Sequence, residues 1–166
     1  GFLRGWRSMW QAVTLPDDSR PVHRDVSISA SIHVTADTHI EFVTYGEKGD
    51  VLKLFHTLLT GDGTRLTRPL KLLGQVLRHP LRLLRLLTAR HYSRRTVLLL
   101  VMQSLDNAMA FVARRDRRGR VTLQTQQDAA HPNPTFIREG FDAAQWLAAR
   151  TGGIAQSGST EALLNI

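Results

Sequence analysis

The sequence contains no cysteine. That excludes a disulfide scaffold, thiolate zinc and iron–sulfur sites, and a cysteine nucleophile, and it fits a reducing compartment. Long apolar runs are missing too. The longest, Val97-Leu98-Leu99-Leu100-Val101-Met102, falls far short of the roughly 20 residues a spanning helix needs. No charged segment followed by an apolar one opens the chain, so no signal peptide is expected, and the expected location is cytoplasmic or at a membrane surface. Phosphate-cradling motifs are absent: there is no Gly-x-Gly-x-x-Gly and no Gly-x-x-x-x-Gly-Lys-Ser/Thr. A Gly-x-Ser-x-Gly elbow is absent as well, and Ser157-Gly158-Ser159 reads as a loop. Finally, no acid occurs between Asp62 and Asp106.

What is present is a basic chain of 166 residues, with 22 Lys and Arg against 14 Asp and Glu and a net charge of +8. Apolar residues make up 42%, enough for one domain with a real core and too many for disorder. The chain opens with Gly1-Phe2-Leu3-Arg4 and closes on the apolar Leu163-Leu164-Asn165-Ile166. A bare apolar terminus is unusual, so the expectation is a portion of something larger.

Phe2, Leu3, Trp6, Met9, Trp10 and Val13 are spaced mostly by three and four, which predicts a short amphipathic helix. Residues 26–35 alternate, with Val26, Ile28, Ala30, Ile32 and Val34 on a buried face; Ala36-Asp37 turns the chain into a second strand, 39–45, with Ile40 and Phe42 inward. From Asp50, set as an N-cap, Val51, Leu54, Phe55, Leu58 and Leu59 sit at helical spacing. Two more helices are predicted over 70–77 and 81–87, divided by Pro80. Thr96–Gln103 reads as a strand buried on both faces, and 108–115 with 121–127 as a hairpin. A loop over 128–133 leads through Pro134 into a helix ending near Arg150, with Ile137, Phe141, Ala144 and Leu147 on its stripe and Gly152 beyond its end. The order is α-ββ-ααα-βββ-α. Strands grouped in hairpins predict an α+β fold, an antiparallel sheet of about five strands covered by helices.

The basic block Arg65, Arg68, Lys71, Arg78, Arg82, Arg85, Arg90, Arg94 and Arg95 faces away from Leu70, Leu73, Leu77, Leu81, Leu84 and Leu87. Such a pattern is either a solvated helix face whose leucines pack on the sheet, or a cationic surface for anionic lipid. Nucleic acid is not expected, because no nucleic-acid motif accompanies the charge. The basic cluster from Arg114 to Arg120 reads as a charged hairpin tip. His33, Asp37 and His39 could meet across a hairpin, but no second cluster supports a metal site and none is expected. No self-contained catalytic constellation is legible.

Three stretches carry a resemblance: Thr38-His39-Ile40-Glu41-Phe42-Val43-Thr44-Tyr45-Gly46, the run from Ser93 to Asn107, and the region from His131-Pro132-Asn133-Pro134-Thr135 through Trp146 and Gly152-Gly153-Ile154-Ala155-Gln156 to Ile166. Together they resemble the substrate domain of the glucose–methanol–choline family of flavin oxidoreductases, in its bacterial cholesterol-oxidase-like branch. The resemblance implies that residues 1–166 are a partial substrate-binding domain whose antiparallel sheet roofs a flavin, while the FAD-binding domain lies outside this chain. It implies a parent enzyme that passes hydride from a sterol or lipid-like alcohol to FAD. The family's Gly-rich FAD fingerprint, its His-x-x-Gly-Gly motif and the partnering Asn or His are not in this chain, so the fragment alone is expected to be inactive. Asp50 falls where sterol-oxidising members place a proton-moving Glu, one methylene longer; a helix N-cap is its other reading. Met102, Gln103, Asp106 and Asn107 fall where the buried strand could face substrate, with Asp106-Asn107 equally suited to a turn. The resemblance adds sense to an anionic membrane surface met through Arg78, Arg82, Arg85 and Arg90. The reading from another class is a non-catalytic basic module that binds a membrane or nucleic acid.

Overall fold

A computed structural model describes residues 3–21, 27–117, 119–127 and 134–164. Its strands are β1 (Leu3–Thr14), β2 (Ser27–His33), β3 (Thr38–Thr44), β4 (His56–Leu58), β5 (Thr96–Arg115), β6 (Val121–Gln127) and β7 (Ile154–Gly158). Its α-helices are α1 (Thr67–Arg78), α2 (Pro80–Thr88), α3 (Tyr92–Arg95), α4 (Arg138–Thr151) and α5 (Ser159–Leu164), and a 3-10 helix spans Glu47–Phe55. Six strands run in the order β2-β3-β5-β1-β7-β4, every pair antiparallel, and β6 pairs with the far half of β5. This is the α+β architecture expected, an antiparallel sheet covered by helices.

The expected N-terminal helix is instead β1, a central strand. Short apolar runs satisfy a helical and an extended period alike. Here the chain is drawn into register between β5 and β7, from Thr14 opposite Thr96 and Ile154 outward. The helix expected from Asp50 is also replaced. Val51 and Leu54 are three apart, which matches the three-residue turn of the 3-10 helix, and Leu58 belongs to β4. The two strands expected over 96–103 and 108–115 are one strand of 20 residues. β7 and α5 occupy the stretch read as a loop.

Residues opposite one another across antiparallel strands share a sheet face. One face carries Met9, Val13, Ile40, Leu99 and Val101, buried under Ile137 at the N-cap of α4 and Ala144 within it. α4 ends where Gly152 adopts φ 69°, the left-handed turn that closes a helix without a Cβ clash. A smaller core joins Leu58 of β4, Leu72 of α1 and Ala162 of α5, with Val76, Leu83 and Ile154 around it. There Arg68, fully buried, donates to Glu161 of α5 at 2.7 Å.

The apolar row of β2 does not lie where the alternation placed it, and of the two readings of the helix leucines the structure departs from the one that packs them on the sheet. Ile28, Ile32 and Val34 are exposed, although the alternation put them on a buried face. Leu70, Leu73, Leu77, Leu81, Leu84 and Leu87 are exposed too, and the helices turn Leu72, Val76, Leu83 and Leu86 inward instead. Val26 and the loop 128–133 lie outside the described residues.

Candidate substrate-facing site

The other face of the sheet is closed at one end and open at the other. At the closed end, Thr14, Thr96 and Gln156 form a buried polar layer beneath Tyr92 of α3. The Tyr92 hydroxyl donates to Gln156 Oε1 at 2.8 Å, Gln156 Nε2 donates to Thr14 Oγ1 at 2.6 Å, and the Thr14 and Thr96 hydroxyls lie 2.8 Å apart. Burial pushes the Tyr92 phenol well above its ordinary value against the opposing pull of its hydrogen bonds, so it stays protonated. His56 packs beside Tyr92 with ring centres 6.2 Å apart. Its Nδ1–H donates to the Leu52 carbonyl at 2.9 Å, and burial lowers its pKa against the opposing pull of that bond.

The open end is a row of cross-strand neighbours. Leu100 of β5 stands between Trp10 of β1 and Glu41 of β3, and Met102, two residues on, stands between Ser8 and His39. Trp10 is 46% exposed, while Glu41, Leu100 and Met102 are half-buried. The result is an open sheet face on which Trp10, Leu100 and Met102 stand among Ser8, His39 and the Glu41 carboxylate. Among the described residues, no side chain pairs with the Glu41 carboxylate.

The four sequence-derived substrate positions separate on this sheet. Strand pleating sends Met102 and Gln103 to opposite faces. Met102 faces the open wall, whereas Gln103 lies on the face that α4 covers and donates to Thr38 Oγ1 at 3.0 Å. Asp106 and Asn107 form no turn, because β5 runs through them; their side chains lie outside the description.

Asp50 does not cap its own segment, whose N-cap is Gly46. Its Oδ1 accepts from the Ser93 backbone N–H and from Ser93 Oγ, both at 2.9 Å, satisfying an otherwise free donor at the start of α3. This clamp fixes α3, and with it Tyr92, over the sheet. Trp10 and Glu41 were missed from sequence: Trp10 because its segment read as a helix, Glu41 although its alternation with Ile40 and Phe42 already put it on the other face.

Arg78, Arg82, Arg85 and Arg90 are exposed on or just beyond α1 and α2. A cavity of about 760 Å³ between the end of β1 and the α2–α3 segment includes Arg85, Arg90 and Arg94 in its lining, and one of about 630 Å³ lies between α1–α2 and α4. Neither lining includes Met102 or Glu41. His33 and His39 stack across β2–β3 at 5.5 Å. Among the described residues, no three His, Asp or Glu side chains gather as metal ligands.

Comparison with known proteins adds an independent line. The chain is 39% identical over 145 residues, 85% of its length, to a cholesterol oxidase of Mycobacterium tuberculosis, in both strain CDC 1551 / Oshkosh and strain H37Rv. It is 32% identical over 83 residues, half of its length, to a cholesterol oxidase of Acinetobacter baumannii. It spans about a quarter of the length of the Mycobacterium relatives and 15% of the Acinetobacter one. No family model and no solved structure matches it. The chain is therefore similar to one portion of proteins named cholesterol oxidase.

Proposed function

We propose that residues 1–166 are a partial substrate-binding domain of an FAD-dependent alcohol oxidoreductase of the glucose–methanol–choline type, acting on a sterol or lipid-like alcohol. The observation that carries this reading is the similarity to cholesterol oxidases over 85% of the chain. It does not favour a basic module without chemistry. The open sheet face supports the reading, because Trp10, Leu100 and Met102 offer apolar side chains to a mostly apolar alcohol. FAD would supply the hydride acceptor. Trp10, Leu100 and Met102 fit the face of a ring system, whether substrate or isoalloxazine. No Gly-rich turn here fits the pyrophosphate, so that contact is assigned to other polypeptide.

Within this reading the roles divide. Met102 is pocket wall. Glu41 is the carboxylate able to accept or return a proton beside bound substrate. Asp50, tied to Ser93, holds α3 in place. Gln103 supports the edge of the wall through Thr38. The cationic helices, through Arg78, Arg82, Arg85 and Arg90, rest on anionic headgroups, where a lipid alcohol resides.

The test uses the intact protein that carries this chain, assayed with detergent-dispersed cholesterol. It is expected to hold flavin and reduce it. M102W should raise KM by about tenfold or more with flavin content unchanged, as an indole blocks the wall. E41Q should lower kcat. D50N should lower thermal stability before it touches kcat. An intact protein without flavin or alcohol oxidation would sink the proposal, and a D50N enzyme that is fully stable but inactive would move the proton-transfer role to Asp50.

A further inference from the structure

We infer that α1 and α2 form a leucine keel that enters the acyl layer of an anionic bilayer, lying in its plane. This rests on the membrane reading above and deepens it. There the arginines met headgroups; here the apolar ridge leads.

Leu66, at the α1 N-cap, is followed by Leu70, Leu73 and Leu77 at steps of four, three and four, which keeps them on one line of a helix at about 100° per residue. The inward row of α1 is Arg68, Leu72 and Val76, roughly a third of a turn away on the opposite side from the cations. α2 begins at Pro80, joined to α1 through His79 alone, and repeats the arrangement: Leu81 and Leu84 face away from Leu83 and Leu86. The ridge is bare, with Leu70 and Leu81 each 67% exposed and Leu77 72% exposed. A contiguous apolar ridge of this size is not left to water without a purpose.

The occupant follows from charge. Lys71, Arg78, Arg82 and Arg85 lie along one flank of the ridge, a fifth to a third of a turn from the leucines by the same helical count. No acid occurs from 63 to 105 to oppose them. Leucines below, long cations beside them and the protein above is the layering of a bilayer's acyl region, headgroups and water, with stems that reach from one to the next. A face meant for the remaining polypeptide has another candidate, the open sheet face of Trp10, Leu100 and Met102. At 12 and 9 residues the helices cannot span a bilayer, and among the described residues no helix is long and apolar enough to do so.

The test uses the intact protein and vesicles of phosphatidylglycerol with phosphatidylcholine. Wild-type protein should co-sediment, and binding should persist in part at about 1 M salt, where the Debye length falls to about 3 Å. L73S/L77S/L81S/L84S should weaken partitioning more than about a hundredfold at every salt concentration. R78Q/R82Q/R85Q should remove only the preference for anionic vesicles. In an L77W variant, bromine on the acyl chains should quench the added indole. Absence of sedimentation, sedimentation without acyl-chain quenching, or an L77W indole shielded from aqueous iodide before vesicles are added would each overturn the keel; the last would assign the ridge to protein. Flavin content and turnover of detergent-dispersed cholesterol, read on the same samples, report on the oxidoreductase separately.

Discussion

Replacing Gly140 with Ala tests how closely α4 seats on the sheet wall. Helix propensity alone favours Ala by about 1 kcal/mol. The geometry opposes it. A Cβ at Gly140 would lie 2.5 Å from Val101 Cγ2 and 3.2 Å from both Val101 Cβ and Cγ1. Because Cβ and both methyls crowd the site, rotating Val101 exchanges one clash for another, and a β-branched side chain in a strand resists rotation anyway. Val101 is fully buried, so the helix has to move. Overpacking costs about 1–3 kcal/mol, and a 2.5 Å approach to a fully buried side chain belongs in the upper part of that range, so G140A should destabilise by roughly 1–2 kcal/mol net despite the better helix former. V101A makes room while leaving a cavity, and alone should cost about 2 kcal/mol. Together, G140A and V101A should fall short of additivity by about 1–2 kcal/mol, each relieving the other. Urea denaturation of the four proteins, with unchanged m-values, measures this directly. A G140A protein as stable as the parent, or a strictly additive double variant, would refute the close approach. Val101 precedes Met102 in β5, so the same lift of α4 should also be felt on the sheet face that carries Met102.

Two further perturbations test the core. E161Q removes the charge that balances the fully buried Arg68 guanidinium and should cost about 3–5 kcal/mol in urea denaturation, whereas R68M/E161L, which removes both charges, should cost much less; equal losses would argue against an ion pair at this site. His56, whose folded pKa is depressed below 6.5 by burial, is neutral in both states above that value, and as pH falls below 6.5 the unfolded chain takes a proton that the folded chain refuses. Stability should therefore decline from neutral pH toward about pH 5, and H56F should flatten that decline; parallel slopes in the two proteins would contradict it.

How far the sequence carried is uneven, for reasons visible in single elements. The β2–β3 hairpin, α1, α2, α4 with its Gly152 end and the β5–β6 hairpin were legible, because turn residues and periodicity agreed locally. β1 was not. Its buried Gln11 breaks the alternation, and the partners that make it a strand, Thr96–Met109 and Ile154–Ser157, are about 80 and 140 positions away. At the site, Met102 and Gln103 looked equivalent as neighbours, and only the pleat separates them. Asp50 looked local as a cap, but its partner is Ser93. The helices show the limit most plainly. The row 66, 70, 73, 77 and the row 68, 72, 76 both have helical spacing, and hydrophobicity alone elects the leucine row as the inward one. The structure elects the other, because Arg68 at its head finds Glu161 on α5, 93 positions downstream. Periodicity measures how many faces a helix has, not which solvent each face meets. An inward row headed by an ion pair can therefore be read only once the distant carboxylate is in position.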